Sequence, residues 1–133
     1  MKKKCIVAFV FLFFLTGCTV QKDDMEKVRE LQFTVLEERN IPEELAEYIE
    51  EAKTEPFEMV YGDEGYLYIA KGYGTKETSG YSIEVEECYE STNVICVRTD
   101  LLGPENDDEI AGQETYPYIV LKTEYSEKNV VFK

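Results

Sequence analysis

Apolar and polar positions along this chain follow two different periods, and the change of period divides it. Leu31, Phe33 and Val35 alternate with polar neighbours, the two-residue period of a short strand. From Ile41 the spacing widens, and Ile41, Leu45, Tyr48, Ile49 and Ala52 fall on one face of a helix predicted over Pro42 to Lys53. Asn40 is placed to cap it, Pro42 sits in its first turn, and Glu43 and Glu44 lie where the positive end of the helix dipole favours carboxylates. Pro56 ends it. Strand-like runs follow over residues 57–61, 66–71, 81–89, 94–101, 118–123 and 129–132, separated by Gly, Pro, Asn and Asp. The pattern predicts an α+β fold of about seven strands in a mostly antiparallel sheet. That sheet curls or doubles into a sandwich or partial barrel, with one N-terminal helix packed against a side or end.

The clearest local geometry is a hairpin around Ser91-Thr92-Asn93, with Asn in the left-handed position of a three-residue loop. If Glu90 closes on Val94, then Ile83, Val85 and Tyr89 share a face with Ile95, Val97 and Leu101. The other face sets Glu86 opposite Arg98 and Cys88 opposite Cys96. Directly opposed residues have Cα atoms about 4.5–5.5 Å apart, within disulfide range, so this register predicts a Cys88–Cys96 bridge. The alternative is two thiols packed as small hydrophobes. Redox catalysis is disfavoured, because the spacing is not C-x-x-C and only Arg98 lies near enough to lower a thiol pKa.

The N-terminus carries a different signal. Lys2, Lys3 and Lys4 precede an apolar run from Cys5 to Leu15, the length of a signal-peptide core and too short to span a bilayer. The junction Leu15-Thr16-Gly17-Cys18 resembles the lipobox of bacterial lipoproteins. That resemblance implies cleavage before Cys18 and diacylglycerol, with palmitate-like chains, on its thiol. Two acyl chains make a stable anchor where one is marginal. The alternative is an ordinary cleaved secretory signal, with Cys18 left as a thiol or disulfide partner. The expected organisation is a lipoprotein signal peptide over 1–17, a lipidated cysteine and polar tether over 18–30, and one globular domain over 31–133. Localisation is then the extracytoplasmic face of the cell membrane, where disulfides persist.

Charge narrows the partners. With 28 acidic against 14 basic residues the formal net charge is -14. Cleavage before Cys18 removes three lysines and makes it more negative still, which disfavours nucleic acid and repels an anionic bilayer. There is no His, so imidazole bases and His-ligated zinc or haem are excluded. No Gly-rich phosphate loop is found, and no cofactor is expected. Asn106, Asp107, Asp108 and Glu109 form an acidic cluster, with Asp107 and Asp108 as weak calcium candidates, but it lacks the EF-hand order and reads more simply as a solvated loop. Abundant carboxylates admit a hydrolase in principle without singling out any pair.

Tyrosine is the remaining compositional signal: there are 10 and no Trp. At this density the rings suit a recognition surface, although Tyr is equally an ordinary strand residue. The segments Gly72-Tyr73-Gly74-Thr75-Lys76, Thr78-Ser79-Gly80-Tyr81-Ser82-Ile83 and Thr115-Tyr116-Pro117-Tyr118 resemble the PrcB-type family of protease-complex subunits, over roughly Leu67 to Phe132. Where that family often has two glycines before the tyrosine, this chain has Ser79-Gly80. The resemblance implies an exported, non-catalytic accessory subunit that binds or supports a secreted or membrane protease, with turn-forming glycines and Pro117 as a rigid lead into a strand. Tyr73, Tyr81 and Tyr116 are the candidate partner surface. A sensor of calcium or a small ligand is the second class of function, and a carboxylate-dependent hydrolase the third.

Overall fold

The computed structural model describes residues 26–105 and 111–133. Among them are eight strands and one α-helix: β1 (Lys27–Glu30), β2 (Thr34–Val35), α1 (Glu43–Ala52), β3 (Pro56–Asp63), β4 (Tyr66–Tyr73), β5 (Ser82–Ser91), β6 (Val94–Leu102), β7 (Tyr118–Glu124) and β8 (Asn129–Phe132). They form two four-stranded sheets, ordered β1-β5-β6-β8 and β2-β7-β4-β3. All pairings are antiparallel except β6 with β8.

The fold is α+β, with an open sandwich and a helical third layer. Leu67, Ile69, Ile119 and Leu121 of the second sheet meet Cys88, Ile95 and Val97 of the first in one core between the sheets. Tyr68, Ala70 and Val120, alternating with those residues, point to the other side of the second sheet and pack under Ile41, Leu45 and Ile49 at the helix. A strand covered on both faces needs no polar alternation, which is why Tyr66 to Ala70 reads as a nearly continuous apolar run. Leu45 and Ile49 are buried, whereas Tyr48 lies at the flank of the helix and is exposed.

Among the described residues no helix covers the outer face of the first sheet, yet Tyr89 and Cys96 there are buried. The Lys27 and Lys133 ammonium groups lie 5.6 and 5.4 Å from the centre of the Tyr89 ring, and their stems cover what a helix does not. Glu87 pairs with Lys133 at 3.1 Å and with Arg98 at 3.6 Å on the same face.

Several expectations change here. The single strand around Leu31 is replaced by β1 and β2, which belong to different sheets, so the chain crosses between layers from Leu31 to Thr34. Residues 27–30, read as tether, pair with β5. Asn40 does not cap α1. Its N–H is held by the Glu37 carbonyl in a 3-10 turn over Glu38–Asn40, and the helix cap is Pro42, which makes no side-chain bond.

The hairpin register is one residue from the expected one near the turn: Glu90 faces Ile95, Tyr89 faces Cys96 and Cys88 faces Val97. Ser91 causes this. Its Oγ accepts the N–H groups of Asn93 (3.2 Å) and Val94 (3.0 Å), closing a tighter connection through Thr92 and Asn93. A bulge between Val85 and Glu87 then restores the expected pairing of Ile83 with Leu101, and sets Glu87 rather than Glu86 opposite Arg98. Cys88 and Cys96 therefore lie on opposite faces of the sheet and are not bridged. Cys88 sits in the inter-sheet core, where burial pushes its thiol up to about 11.

The directions of the strands separate the connections into two ends. The chain arrives at Lys27 beside Ser91, at the end that also carries the β3–β4, β5–β6 and β7–β8 turns. The α1–β3, β4–β5 and β6–β7 connections lie at the other end. The eight residues of β4 put about 25 Å between them.

Candidate functional site

The end remote from Lys27 is built from two connections that are far apart in sequence. Lys76 and Thr115 exchange backbone hydrogen bonds, each 2.9 Å, as an isolated antiparallel bridge. Thr115 Oγ1 donates to the Thr78 carbonyl at 2.7 Å. Ser79 N–H donates to the Ala111 carbonyl at 3.1 Å, and Ala111 N–H returns to Ser79 Oγ at 2.8 Å. Tyr73 N–H bonds the Pro117 carbonyl at 3.0 Å, and Thr75 N–H bonds the Thr54 carbonyl at 3.2 Å. The segments 73–79 and 111–117 are thus strapped together, and Thr75 fastens the strap to the loop after α1.

Two glycines make this approach possible. Gly72 lies in β4, not in a turn, and a Cβ there would sit 2.1 Å from the Phe57 ring. Gly74 has φ of +81°, and a Cβ on it would meet Pro56 at 3.1 Å. The turn role expected of the glycines holds for Gly74 and Gly80, while Gly72 is needed for packing. Pro117 immediately precedes β7, as expected of a rigid lead into a strand.

The three candidate tyrosines all belong to this end and are spread across its layers, each half-buried. Tyr81 lies at the rim of the first sheet, just before β5 and opposite the chain that leaves β6 at Gly103. Tyr73 spans the two sheets, its hydroxyl bonded to Thr99 Oγ1 of β6, with the Lys71 ammonium 5.2 Å from its ring centre. Tyr116 lies on the helix side, under the Lys53 ammonium at 4.7 Å. The five tyrosines grouped between Tyr61 and Tyr81 in sequence do not form one surface. Tyr61 and Tyr68 lie toward the helix as a tilted ring pair with centres 6.1 Å apart, and Tyr66 is at the opposite end of β4.

Residues 67–124 match the family model described as PrcB C-terminal. The match covers β4 to β7 together with both strapped segments, so the expected resemblance is found over the part of the chain that builds this end. The matched segment leaves out β1, β2, α1, β3 and β8, which add an edge strand to each side of both sheets and the helical layer. No curated protein and no solved structure matches the chain.

Other candidates are placed less fully. Cys18, Asp107 and Asp108 lie outside the described residues. Among the described residues no group of three or more Cys, Asp or Glu is arranged to hold a metal ion, and no helix is long and apolar enough to cross a membrane. The strap itself was missed in sequence. Its signal was the pairing of two Thr- and Ser-containing segments, Thr75 to Ser79 and Ala111 to Thr115, whose Thr75, Ser79 and Thr115 hydroxyls bond backbone.

Proposed function

We propose that this protein is a lipid-anchored, extracytoplasmic, non-catalytic accessory subunit that holds a protease through its strapped end. The observation that carries the reading is the opposition of the two ends. The matched segment spans both ends of the domain and supplies both strapped segments with Tyr73, Tyr81 and Tyr116, while the chain from Cys18 joins the domain at Lys27, about 25 Å from them. A chain anchored at Cys18 presents the strapped end outward, and the residues between Cys18 and Lys27 reach at most about 30 Å. Half-buried tyrosines on a backbone tied by hydrogen bonds are preorganised for contact, since little side-chain freedom remains to be lost. Tethering raises local concentration, so modest contacts suffice.

The test is recovery of the tagged full chain from gently solubilised native membranes, with Cys18→Ala as the unanchored control. Co-recovery of a protease in stoichiometric amount, lost with Tyr81→Ala and Tyr116→Ala while the domain stays folded, is the expected result. Equal recovery by both variants counts against this surface. Fractionation of Cys18→Ala with the membrane counts against the anchor.

A further inference from the structure

We infer that the outer edge of β3 and the slot beside it bind an extended, basic segment of a protein partner by strand addition. This surface is separate from the strapped end and stands independently of the role proposed for it.

β3 is the terminal strand of its sheet, and among the described residues nothing pairs with its outer side. It runs eight residues in unbroken register with β4, without a bulge and without a lysine. Bulges and lysines are common protections of exposed edges; here Pro56, at the first position, removes a donor, and the charged residues of the strand, Glu58 and Asp63, are acidic. Beside the edge, α1 and β3 leave a slot of about 530 Å³ walled by Leu45, Tyr48, Ala52, Met59, Val60 and Tyr61. Tyr48 and Val60 are about half exposed at its mouth. A free edge supplies main-chain bonds, and an adjoining apolar slot takes every second side chain of an added strand.

Charge chooses the occupant. From residue 43 to 64 the chain carries nine Asp or Glu and one basic residue, Lys53. Within α1 half of the residues are Glu and none is basic. Glu51 lines the slot, Glu47 is exposed on the same helix, and Glu44 accepts the Tyr61 hydroxyl at 2.7 Å. A second copy adding its own β3 sets this acidic rim against itself. An incoming strand that alternates apolar residues with Lys or Arg fills the slot with one side chain and meets a carboxylate with the next.

The probe is a fluorescein-labelled eight-residue peptide alternating lysine and valine, titrated by anisotropy against the full chain in nonionic detergent at low salt. Binding is expected, weakened about tenfold or more by Glu47→Lys with Glu51→Lys, and several-fold by Tyr48→Ala. The same peptide N-methylated at alternate residues is expected not to bind, because the main-chain bonds are blocked. Tyr116→Ala is expected to leave binding intact, which separates this surface from the strapped end. Equal binding of the N-methylated peptide overturns strand addition, and indifference to the double charge reversal overturns the placement. A concentration-dependent dimer without peptide, abolished by Val60→Lys, assigns the edge to a second copy instead.

Discussion

The two ends of this domain are held by different physics. At the strapped end, backbone hydrogen bonds and two close approaches, at Gly72 and Gly74, hold segments from distant parts of the chain. At the end where β1 begins, ion pairs are added to backbone ties such as the Tyr125 N–H bond to the Gly65 carbonyl at 3.1 Å. Glu90 pairs with Lys128 at 2.6 Å and Arg29 at 2.9 Å, and Lys128 also donates to the Ser91 carbonyl at 2.8 Å. One carboxylate thus gathers β1, the β5–β6 turn and the β7–β8 turn. Steric and backbone ties are insensitive to salt and pH, whereas ion pairs near the surface respond to both. The contrast teaches that the strapped end is shaped by backbone and steric ties, while the β1 end carries ion pairs that respond to salt and pH.

The contrast breaks most sharply at Gly72. Alanine there has to displace the Phe57 ring, an overpacking that is expected to cost about 3 kcal/mol and to lower the melting temperature by about 10 °C or more. Gly112→Ala, whose Cβ meets nothing within 4 Å, is the control and is expected to stay within about 0.5 kcal/mol. Equal melting of the two variants would show that Phe57 moves freely aside. Gly74→Ala is the next effect, about 1–2 kcal/mol, from its left-handed backbone and the contact with Pro56. Because the Thr75 bonds to Thr54 follow directly, faster amide exchange of Thr75 should accompany it.

Glu90→Gln acts at the other end and is smaller, about 1 kcal/mol at neutral pH. The Lys128 ammonium, with Arg29 beside it, holds the Glu90 carboxyl below the usual carboxylate range. A folded-state pKa below the unfolded one means that this stabilisation is complete above about pH 5 and is lost as pH falls through the folded value. Denaturant titrations of parent and variant should therefore differ at pH 7, converge as the pH falls below the usual carboxylate range, and converge also in 1 M salt. A constant difference at all pH values would remove the ionic account of this end.

Much of this layout was legible, and the misses have specific causes. The helix face Ile41, Leu45 and Ile49 and the six strand-like runs from residue 57 onward follow from the apolar pattern, which alternates where one face is covered and runs on where both are, as in β4 and β7. The register at Cys88 was not legible, since it depends on where the Ser91 hydroxyl finds its donors and on a compensating bulge at Glu86, neither of which alters the apolar pattern of Ile83 and Val85. β1 was not legible because all four of its residues are exposed and its pairing rests on an edge that β5 offers. Of the candidate surface, the residues were named but not their meeting. Sequence places Tyr73 and Tyr116 more than forty positions apart, and the strap that joins their neighbourhoods is made of ordinary Thr, Ser and Ala backbone.

The smallest effect is the most discriminating for the strapped end, because Tyr73 is both a candidate contact and a tie between sheets. Its hydroxyl bonds Thr99 Oγ1, while its ring faces Lys71. Tyr73→Phe removes the first and keeps the second, and is expected to cost about 0.5 kcal/mol, the low end for a neutral hydrogen bond, with partner recovery unchanged. Tyr73→Ala removes both and adds lost packing, so weaker recovery by that variant alone carries no weight for recognition. If Tyr73→Phe reduces recovery without loss of stability, the hydroxyl meets the partner rather than Thr99, and the tie between the sheets at this end opens on binding.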